Sequence, residues 1–276
     1  MKRILPLIRS LSLISILIST LFLNGCAIFG DPTPLDDTKG WSAQRIYEAA
    51  SEKMRDKDYD KAVNYFEKLA SRFPNGVYAN QAQLELAYAY YKKDDAALCL
   101  AAAERFIKLH PNHPNVDYAY YLKGLATFNE RGTFDKLTLQ QISDRDPKTL
   151  KVSFAAFKEL VERFPNSRYY KDSVQRMTYL VNSLAEHEMF VARYYMDRKA
   201  YVAALNRAKY VTEYYPDSTS VEQALVVMVS AYNYLEMDDL KTDTLRILKT
   251  NYPNNPMITG KIQEEERVWW KFWESL

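Results

Sequence analysis

Histidine, serine and glycine occur in this chain without the spacing that catalytic or metal chemistry requires. His110 and His113 lie on either side of Pro111, so they cannot be ligands on one regular helical face. No serine has glycine at both flanking positions of a nucleophile elbow, and the glycine pair with phosphate-loop spacing lacks the lysine that must follow it. The sequence therefore predicts a protein that is not an enzyme and holds no metal or cofactor.

Cys26 is the one thiol whose surrounding sequence predicts a covalent modification. A basic start and an apolar run from Leu11 to Leu23 precede it, and this run is shorter than the about 20 residues that span a membrane. The pattern is typical of a signal peptide over residues 1–25. The end of that segment, Leu23-Asn24-Gly25-Cys26, resembles the lipobox of bacterial lipoproteins, in which the cysteine becomes the first residue and carries acyl chains. The alternative is an ordinary secretory signal with a chance cysteine.

The residues after Cys26 predict a tether and a location. Residues 26–41 include Pro32, Pro34 and Gly40 and are expected to be a flexible link between the lipid and the domain. Because Ala27 stands where aspartate retains lipoproteins in the inner membrane, the sequence favours the periplasmic face of the outer membrane. Removal of the leader takes away three basic residues and no acidic one, which changes the formal charge from +2 to −1. That balance gives no bulk attraction to nucleic acid.

A three-residue phrase repeats five times and divides the rest of the chain into units. Each copy has an aromatic residue or histidine, then proline, then asparagine or aspartate. Proline lacks an N–H and its ring clashes with a continuing helix, so each copy predicts a helix end. The polar residue after it predicts a turn and a cap for the next helix. The copies are Phe73-Pro74-Asn75, His110-Pro111-Asn112, Phe164-Pro165-Asn166, Tyr215-Pro216-Asp217 and Tyr252-Pro253-Asn254.

Mostly small or apolar residues recur twelve, eight and five positions before each proline, on one stripe of the preceding helix. Small contact residues, aromatic neighbours and a closing proline form the tetratricopeptide pattern, whose period is about 34 residues. Glycine, which weakens helices, occurs only seven times. The predicted fold is therefore all-α, an α-solenoid of five tetratricopeptide-type helix pairs over residues 42–254, rather than five unrelated helix ends. The stripe residues are Ala62, Cys99, Ser153, Ala204 and Lys241, then Phe66, Ala103, Phe157, Ala208 and Leu245, then Leu69, Phe106, Leu160, Val211 and Leu248.

Uneven gaps of 37, 54, 51 and 37 residues between the prolines locate two extensions. The first is an insert over residues 131–147, ending in Asp144-Arg145-Asp146-Pro147, which is either a functional loop or a salt-bridged turn. The second is a single long helix, Arg168–Asp197.

Cys99 occupies a small repeat position and is predicted to be a buried apolar residue rather than a reactive thiol. The other predicted helices are Ala43–Arg55, Tyr59–Ser71, Gln81–Lys92, Ala96–Leu109, Val116–Glu130, Lys148–Arg163, Val202–Tyr214, Val221–Leu235 and Lys241–Thr250.

The tail, residues 255–276, contains three of the four tryptophans. Residues 262, 269, 272 and 273 would share one face of a helix. Such a helix either caps the apolar end of the stack or docks on a partner or a membrane interface.

Two stretches, together with the cysteine motif and the repeats, resemble the BamD/ComL family. This family comprises the tetratricopeptide lipoproteins of the outer-membrane β-barrel assembly machine, the BAM complex. The first stretch runs from Arg105 through His113 to Gly124, and the second is Asp144-Arg145-Asp146-Pro147. The likeness covers roughly residues 47–253 and does not include the aromatic tail.

The resemblance implies an adaptor that promotes folding and insertion of outer-membrane proteins. Its last repeats would bind the POTRA domain of a BamA-like barrel protein through Arg198 and Arg207, unless these are ordinary surface charges. Its first repeats would receive unfolded barrel proteins at Phe73, Gly76 and Tyr78, although packing alone would also explain Phe73. Accessory lipoproteins of the same machine are the other implied partners.

Two rival classes of protein fit part of the pattern. A periplasmic tetratricopeptide lipoprotein that scaffolds peptidoglycan enzymes would share the anchor and the repeats. The helical ring of a lytic transglycosylase would need a separate catalytic domain with an acidic residue, for which the repeats leave no room.

Overall fold

The computed structural model describes residues 36–128 and 147–260, and within these ranges the chain is helical without a strand. Residues 36–42 belong to a separate unit with a turn at 37–40, and the helical unit begins at Ala43. Its helices are α1 (Ala43–Arg55), α2 (Tyr59–Arg72), α3 (Ala79–Lys92), α4 (Ala96–Leu109), α5 (Val116–Thr127), α6 (Pro147–Arg163), α7 (Tyr170–Asp197), α8 (Tyr201–Tyr214), α9 (Val221–Tyr234), α10 (Asp238–Asn251) and α11 (Pro256–Thr259).

The helices pack in the order in which they occur in the sequence. Each helix from α1 to α9 contacts the next one, and the first helices of neighbouring pairs also meet, α3 with α5 and α7 with α9. Serial packing of five pairs is the arrangement of a tetratricopeptide solenoid, in which each repeat contacts its neighbours. The predicted fold class is therefore confirmed.

Predicted and observed helix boundaries differ mainly at two ends. Helix α5 ends at Thr127 rather than at residue 130, and α10 begins at Asp238 rather than at Lys241. The long helix is present as α7, with 28 residues. The lipobox cysteine Cys26, insert residues 131–146, with Asp144, Arg145 and Asp146, and tail residues 261–276 lie outside the described residues.

The five proline phrases end five helices with the same geometry. The residue before each proline donates its backbone N–H to the carbonyl four residues earlier, at 2.8–2.9 Å. At Phe73, His110, Tyr215 and Tyr252 the backbone leaves the helix with φ between −130° and −133°. The prediction of helix ends at these prolines is therefore confirmed.

The predicted capping role of the residue after each proline is wrong. The next helix begins too far along the chain, because its N-cap residue stands four positions after proline in the first four repeats. A cap must accept from an N–H two or three residues ahead of it, which is out of reach from the turn. None of these four N-cap residues accepts a side-chain cap bond. Asn255, the N-cap of α11, does accept one, from the Met257 N–H at 2.9 Å.

The predicted stripe forms the core between the helices. The residues five positions before the prolines are fully buried in all five repeats, and burial of such a side chain contributes about 1.5–3 kcal/mol. Cys99 is also fully buried, and burial raises the pKa of its thiol to about 12. The prediction of a buried Cys99 is confirmed. Lys241 departs from the stripe because its ammonium group pairs with Asp238 at the surface.

Residues in the left-handed region connect the two helices of four pairs. Lys57, Asp94, Lys199 and Glu236 have φ of 57–61°, and each stands seventeen positions before its proline. The N–H of the following residue then reaches the carbonyl five residues earlier, as from Asp58 to Lys53 at 3.0 Å. This bond satisfies a terminal carbonyl at a cost of about 1–2 kcal/mol for a left-handed L-residue.

Small side chains allow close contacts between helix α5 and the helices on either side of it. Ser153 on α6 donates its hydroxyl to the Gly124 carbonyl at 2.9 Å, and Cys99 on α4 directs its thiol to the Leu122 carbonyl at 3.9 Å. A Cβ added at Gly124 would lie 2.5–2.8 Å from three ring carbons of Phe157. That ring is fully buried and also contacts Phe128, so it has little freedom to move.

Gly124→Ala is expected to destabilise the protein, although alanine normally favours a helix by about 0.5–1 kcal/mol over glycine. Overpacking against Phe157 costs about 1–3 kcal/mol and should outweigh that gain. We expect the melting temperature to fall by several degrees, measured by circular dichroism. Gly76→Ala is the control, because its new Cβ would meet Phe73 only at 3.5–3.6 Å. A higher melting temperature for Gly124→Ala would contradict the packing argument.

Candidate protein-interaction surfaces

Arg207 on α8 is held by a carboxylate on the neighbouring helix. Its Nη1 lies 3.0 Å from Glu188 Oε2 on α7. The Glu188 side chain is 13% exposed, whereas the Arg207 side chain is 46% exposed. The guanidinium has five N–H donors in a planar fork, and this ion pair uses one of them. Arg207 is therefore oriented by Glu188 and can still donate to an acceptor in solution.

A small recess lies beside Arg207 between α7 and α8. It has a volume of about 270 Å³ and is lined by Tyr195, Ala203, Asn206, Arg207 and Tyr210. Aromatic rings, an amide and a guanidinium together suit a side chain with an apolar part and an acidic or polar end.

Arg198 lies at the end of α7, in the turn before α8. It is the C-cap residue, and its guanidinium carbon is 4.5 Å from the centre of the Tyr194 ring. Tyr194 is itself 48% exposed. The two predicted partner-binding arginines therefore occupy the same hairpin but have different neighbours. The exposed ring of Tyr194 belongs to this surface and was not predicted as a site residue.

The turn between α2 and α3 brings together the three residues predicted to bind clients. Gly76 donates its N–H to the Phe73 carbonyl at 3.2 Å, and Tyr78 is the N-cap residue of α3. The Tyr78 ring stacks on Tyr47 of α1, with centres 5.1 Å apart. Val77, which was not predicted, is 95% exposed in the same turn. An isolated exposed valine beside a stacked tyrosine pair offers apolar surface to an extended segment.

Tyrosine rings continue from this turn along the first helices of the next repeats. The Tyr88 ring centre on α3 lies 6.4 Å from that of Tyr118 on α5. Tyr118 stacks on Tyr169 at 5.3 Å, and Tyr169 stacks on Tyr121 at 4.5 Å. Burial raises the pKa of Tyr121 to about 12, and its hydroxyl donates to Asp172 at 2.7 Å. The Tyr121 phenol therefore stays protonated at neutral pH, and together the rings form an aromatic surface that includes a hydrogen-bond donor.

A larger recess of about 490 Å³ is lined by none of the predicted site residues that the structure describes. Leu125, Phe128 and Arg176 line it, with the Arg176 guanidinium 4.5 Å from the centre of the Phe128 ring.

In residues 36–128 and 147–260, no group of three or more histidine, cysteine or acidic side chains is arranged to hold a metal ion. No helix of these two ranges has the length and apolar character needed to cross a membrane.

Comparison with known proteins gives relatives over most of the chain. The outer membrane protein assembly factor BamD of Neisseria gonorrhoeae is 46% identical over 255 residues, which covers 92% of this chain and 96% of that protein. BamD of Vibrio cholerae is 36% identical over 226 residues, covering 81% of this chain and 93% of that protein.

The comparison with solved structures gives matches of low sequence identity. The crystal structure of MamA gives a TM-score of 0.38 at 13% identity, covering 80% of this chain and 95% of that chain. PilW, a type IV pilus biogenesis factor, gives a TM-score of 0.34 at 13% identity, covering 80% and 98%.

A family model described as YfiO, outer membrane lipoprotein, matches residues 40–247, which is most of the helical unit described above. The match includes α1 to α9 and therefore both surfaces built from the predicted site residues. Together with the identity to the two BamD proteins, it establishes that the chain belongs to the YfiO family of outer membrane lipoproteins, the family of BamD.

Proposed function

We propose that this protein is a non-catalytic adaptor of the outer-membrane β-barrel assembly machine. The observation that carries the proposal is the 46% identity to an outer membrane protein assembly factor over 92% of the chain. Serial helix pairs support it, because stacked repeats present extended surfaces that bind other proteins. In this role the protein promotes the folding and insertion of barrel proteins by binding them and the machine at the same time.

Anchoring by lipid on Cys26 is part of the proposal. The lipobox-like sequence before this residue supports it, as does the family description as a lipoprotein. Several acyl chains give stable attachment to a bilayer. The helical repeats would then lie at the periplasmic face of the outer membrane, tethered by residues 26–41.

The hairpin of α7 and α8 is the proposed site for a POTRA domain of a BamA-like barrel protein. Arg207 is oriented by Glu188 before any partner arrives, so less side-chain entropy is lost on binding. Arg198 and Tyr194 add a cation and an exposed ring on the same hairpin. Arginine and tyrosine are enriched among the residues that dominate binding energy at protein interfaces. Accessory lipoproteins of the machine are the remaining proposed partners.

The turn between α2 and α3 is the proposed site for unfolded barrel proteins. Tyr78 presents a ring held by Tyr47, and Val77 adds exposed apolar surface. Gly76 leaves the turn without a side chain, so another backbone can approach it closely. Phe73 supports this turn through its carbonyl, which accepts the Gly76 N–H. An extended client segment with aromatic side chains would find complementary surface here.

Depletion of the protein from a bacterium that encodes it tests the function as a whole. We expect folded barrel proteins in the outer membrane to fall, as measured by heat-modifiable gel mobility, because clients no longer reach the machine. Cleavage of the cell wall should not change. Normal barrel protein levels after depletion would refute the proposal, and wild-type protein supplied from a plasmid is the control.

Arg207→Glu is expected to weaken binding of a BamA-like POTRA domain by about tenfold or more, because charge reversal opposes a partner carboxylate. Isothermal titration calorimetry would measure the affinity. Arg246→Glu is the matched control, since Arg246 pairs with Asp243 on α10 at 3.0 Å and is 75% exposed. Because Glu188 is only 13% exposed, Arg207→Glu places two carboxylates together and is expected to lower the melting temperature, so affinities are compared at a temperature at which circular dichroism shows both variants folded. Equal affinities for the two variants would count against this site.

Tyr78→Ala is expected to weaken binding of an unfolded barrel protein by several-fold, because it removes a ring from the client surface. Fluorescence anisotropy with a labelled, urea-unfolded barrel protein gives the affinity after dilution. Tyr234→Ala removes a comparable ring, which stacks on Tyr201 at 4.4 Å in another repeat, and should leave binding unchanged. If the two variants lose affinity equally, the client surface does not lie at the α2–α3 turn.

A further inference from the structure

Glu85 on α3 is a partly buried carboxylate whose negative charge has few hydrogen-bond or ion-pair partners in the described part of the chain. Its Oε1 accepts the Gln81 side-chain N–H at 2.8 Å, the one hydrogen bond that the structure gives it there. No cationic side chain of the described residues forms an ion pair with it. Burial raises the pKa of the Glu85 carboxyl, and the bond from Gln81 offsets that rise in part. The ionised group is therefore poorly solvated and poorly paired.

Tyr78, Gln81, Glu85 and Tyr88 recur at helical spacing on one face of α3, so a tyrosine stands before and after the carboxylate along that face. The negative charge of Glu85 contributes to raising the pKa of Tyr47 on α1 and of Tyr118 on α5, after the larger effect of burial on each. This effect agrees with the position of Glu85 between Tyr78 and Tyr88, whose rings contact the first helices of the repeats before and after its own. Tyr47 carries Tyr78 stacked on it, and Tyr118 lies beside Tyr88.

The repeat pattern shows that packing does not require an acid at this position. Glu85 stands 26 residues before its proline, and the residues at that distance in repeats four and five are Phe190 and Val227. Val227 is 8% exposed and belongs to the core, whereas Phe190 is 40% exposed. Only repeat one also has an acid there, Glu48, which is exposed at the surface. A carboxylate where other repeats place apolar side chains costs free energy unless its charge is compensated.

We infer that Glu85, with the rings of Tyr47, Tyr78 and Tyr118, forms a binding site for a lysine or arginine side chain of an extended protein segment. The cation would restore the charge balance of Glu85 and lie against tyrosine faces, which attract cations. A hard metal ion would need several oxygen ligands, and a single carboxylate among rings does not supply them. The inference rests on the proposed function, because Tyr78 is shared with the proposed client surface.

The test uses the full chain and two labelled extended peptides with the same aromatic residues. One peptide has lysine and the other norleucine at one central position, so they differ in charge and hardly in apolar surface. Glu85→Gln preserves the shape of the side chain and removes its charge. We expect this variant to bind the lysine peptide about tenfold more weakly than wild type, and to bind the norleucine peptide as wild type does. Fluorescence anisotropy measures the four affinities.

Glu162→Gln is the matched control, because Glu162 is an acid on α6 with a 64% exposed side chain that pairs with Lys158 at 3.6 Å. It should bind both peptides with wild-type affinity. The inference is overturned if Glu85→Gln affects both peptides equally, if it affects neither, or if wild type binds neither. Unchanged binding of the norleucine peptide also shows that the variant is folded.

An unfolded barrel protein in the same assay separates the two hypotheses. If wild type and Glu85→Gln bind it equally and neither prefers lysine, the client surface stands and the Glu85 site is wrong. If wild type does not bind the barrel protein but its preference for lysine is lost in Glu85→Gln, the proposed client role is wrong and the Glu85 site stands.

Discussion

Close contact between neighbouring helices at small side chains is the constraint on which the rest of the structure depends. Ser153 and Cys99 approach the carbonyls of α5 from the helices on either side, and Gly124 leaves room for the ring of Phe157. Larger residues at these positions would push the helices apart and break contacts on both sides. Because each helix pair packs on the next, this spacing also determines where the surface residues of each repeat lie.

The fold was predictable because its strongest signals are local. A proline ends a helix whatever surrounds it, and a stripe of apolar residues must face a neighbour. The turns inside the pairs were not predictable, since left-handed residues such as Lys57 and Glu236 are neither glycine nor asparagine. Packing of the two helices holds the turn residue in this conformation, and the free energy of that packing offsets the strain of the left-handed backbone. The predicted caps were wrong for a related reason. The turn determines how many residues separate each proline from the next helix, and the residue beside proline does not reveal that number.

The candidate surfaces were predictable as residues but not as surfaces. Resemblance to the family indicated Arg207 and Tyr78, whereas Glu188 and Tyr47, which orient them, lie on other helices and follow only from tertiary contacts. The tyrosines near Glu85 could not be predicted as site residues from the sequence, for a simpler reason. With 22 tyrosines in the chain, most at packing positions, no single ring stands out in the sequence. Only the tertiary contacts of Tyr78 with Tyr47 and of Tyr88 with Tyr118 show that ring pairs stand on both sides of Glu85 along α3.

Serial packing is also compatible with the two partner sites proposed for this chain. The α2–α3 turn and the α7–α8 hairpin lie on different repeats, and the described helices between them interact with their neighbours rather than through one shared core. In such an array the stability of each repeat depends mainly on itself and on the adjacent interface. A ligand at one surface therefore need not alter the other unless the intervening repeats change their packing. An adaptor built in this way can hold a client and the machine together, and the two affinities can be adjusted by separate substitutions.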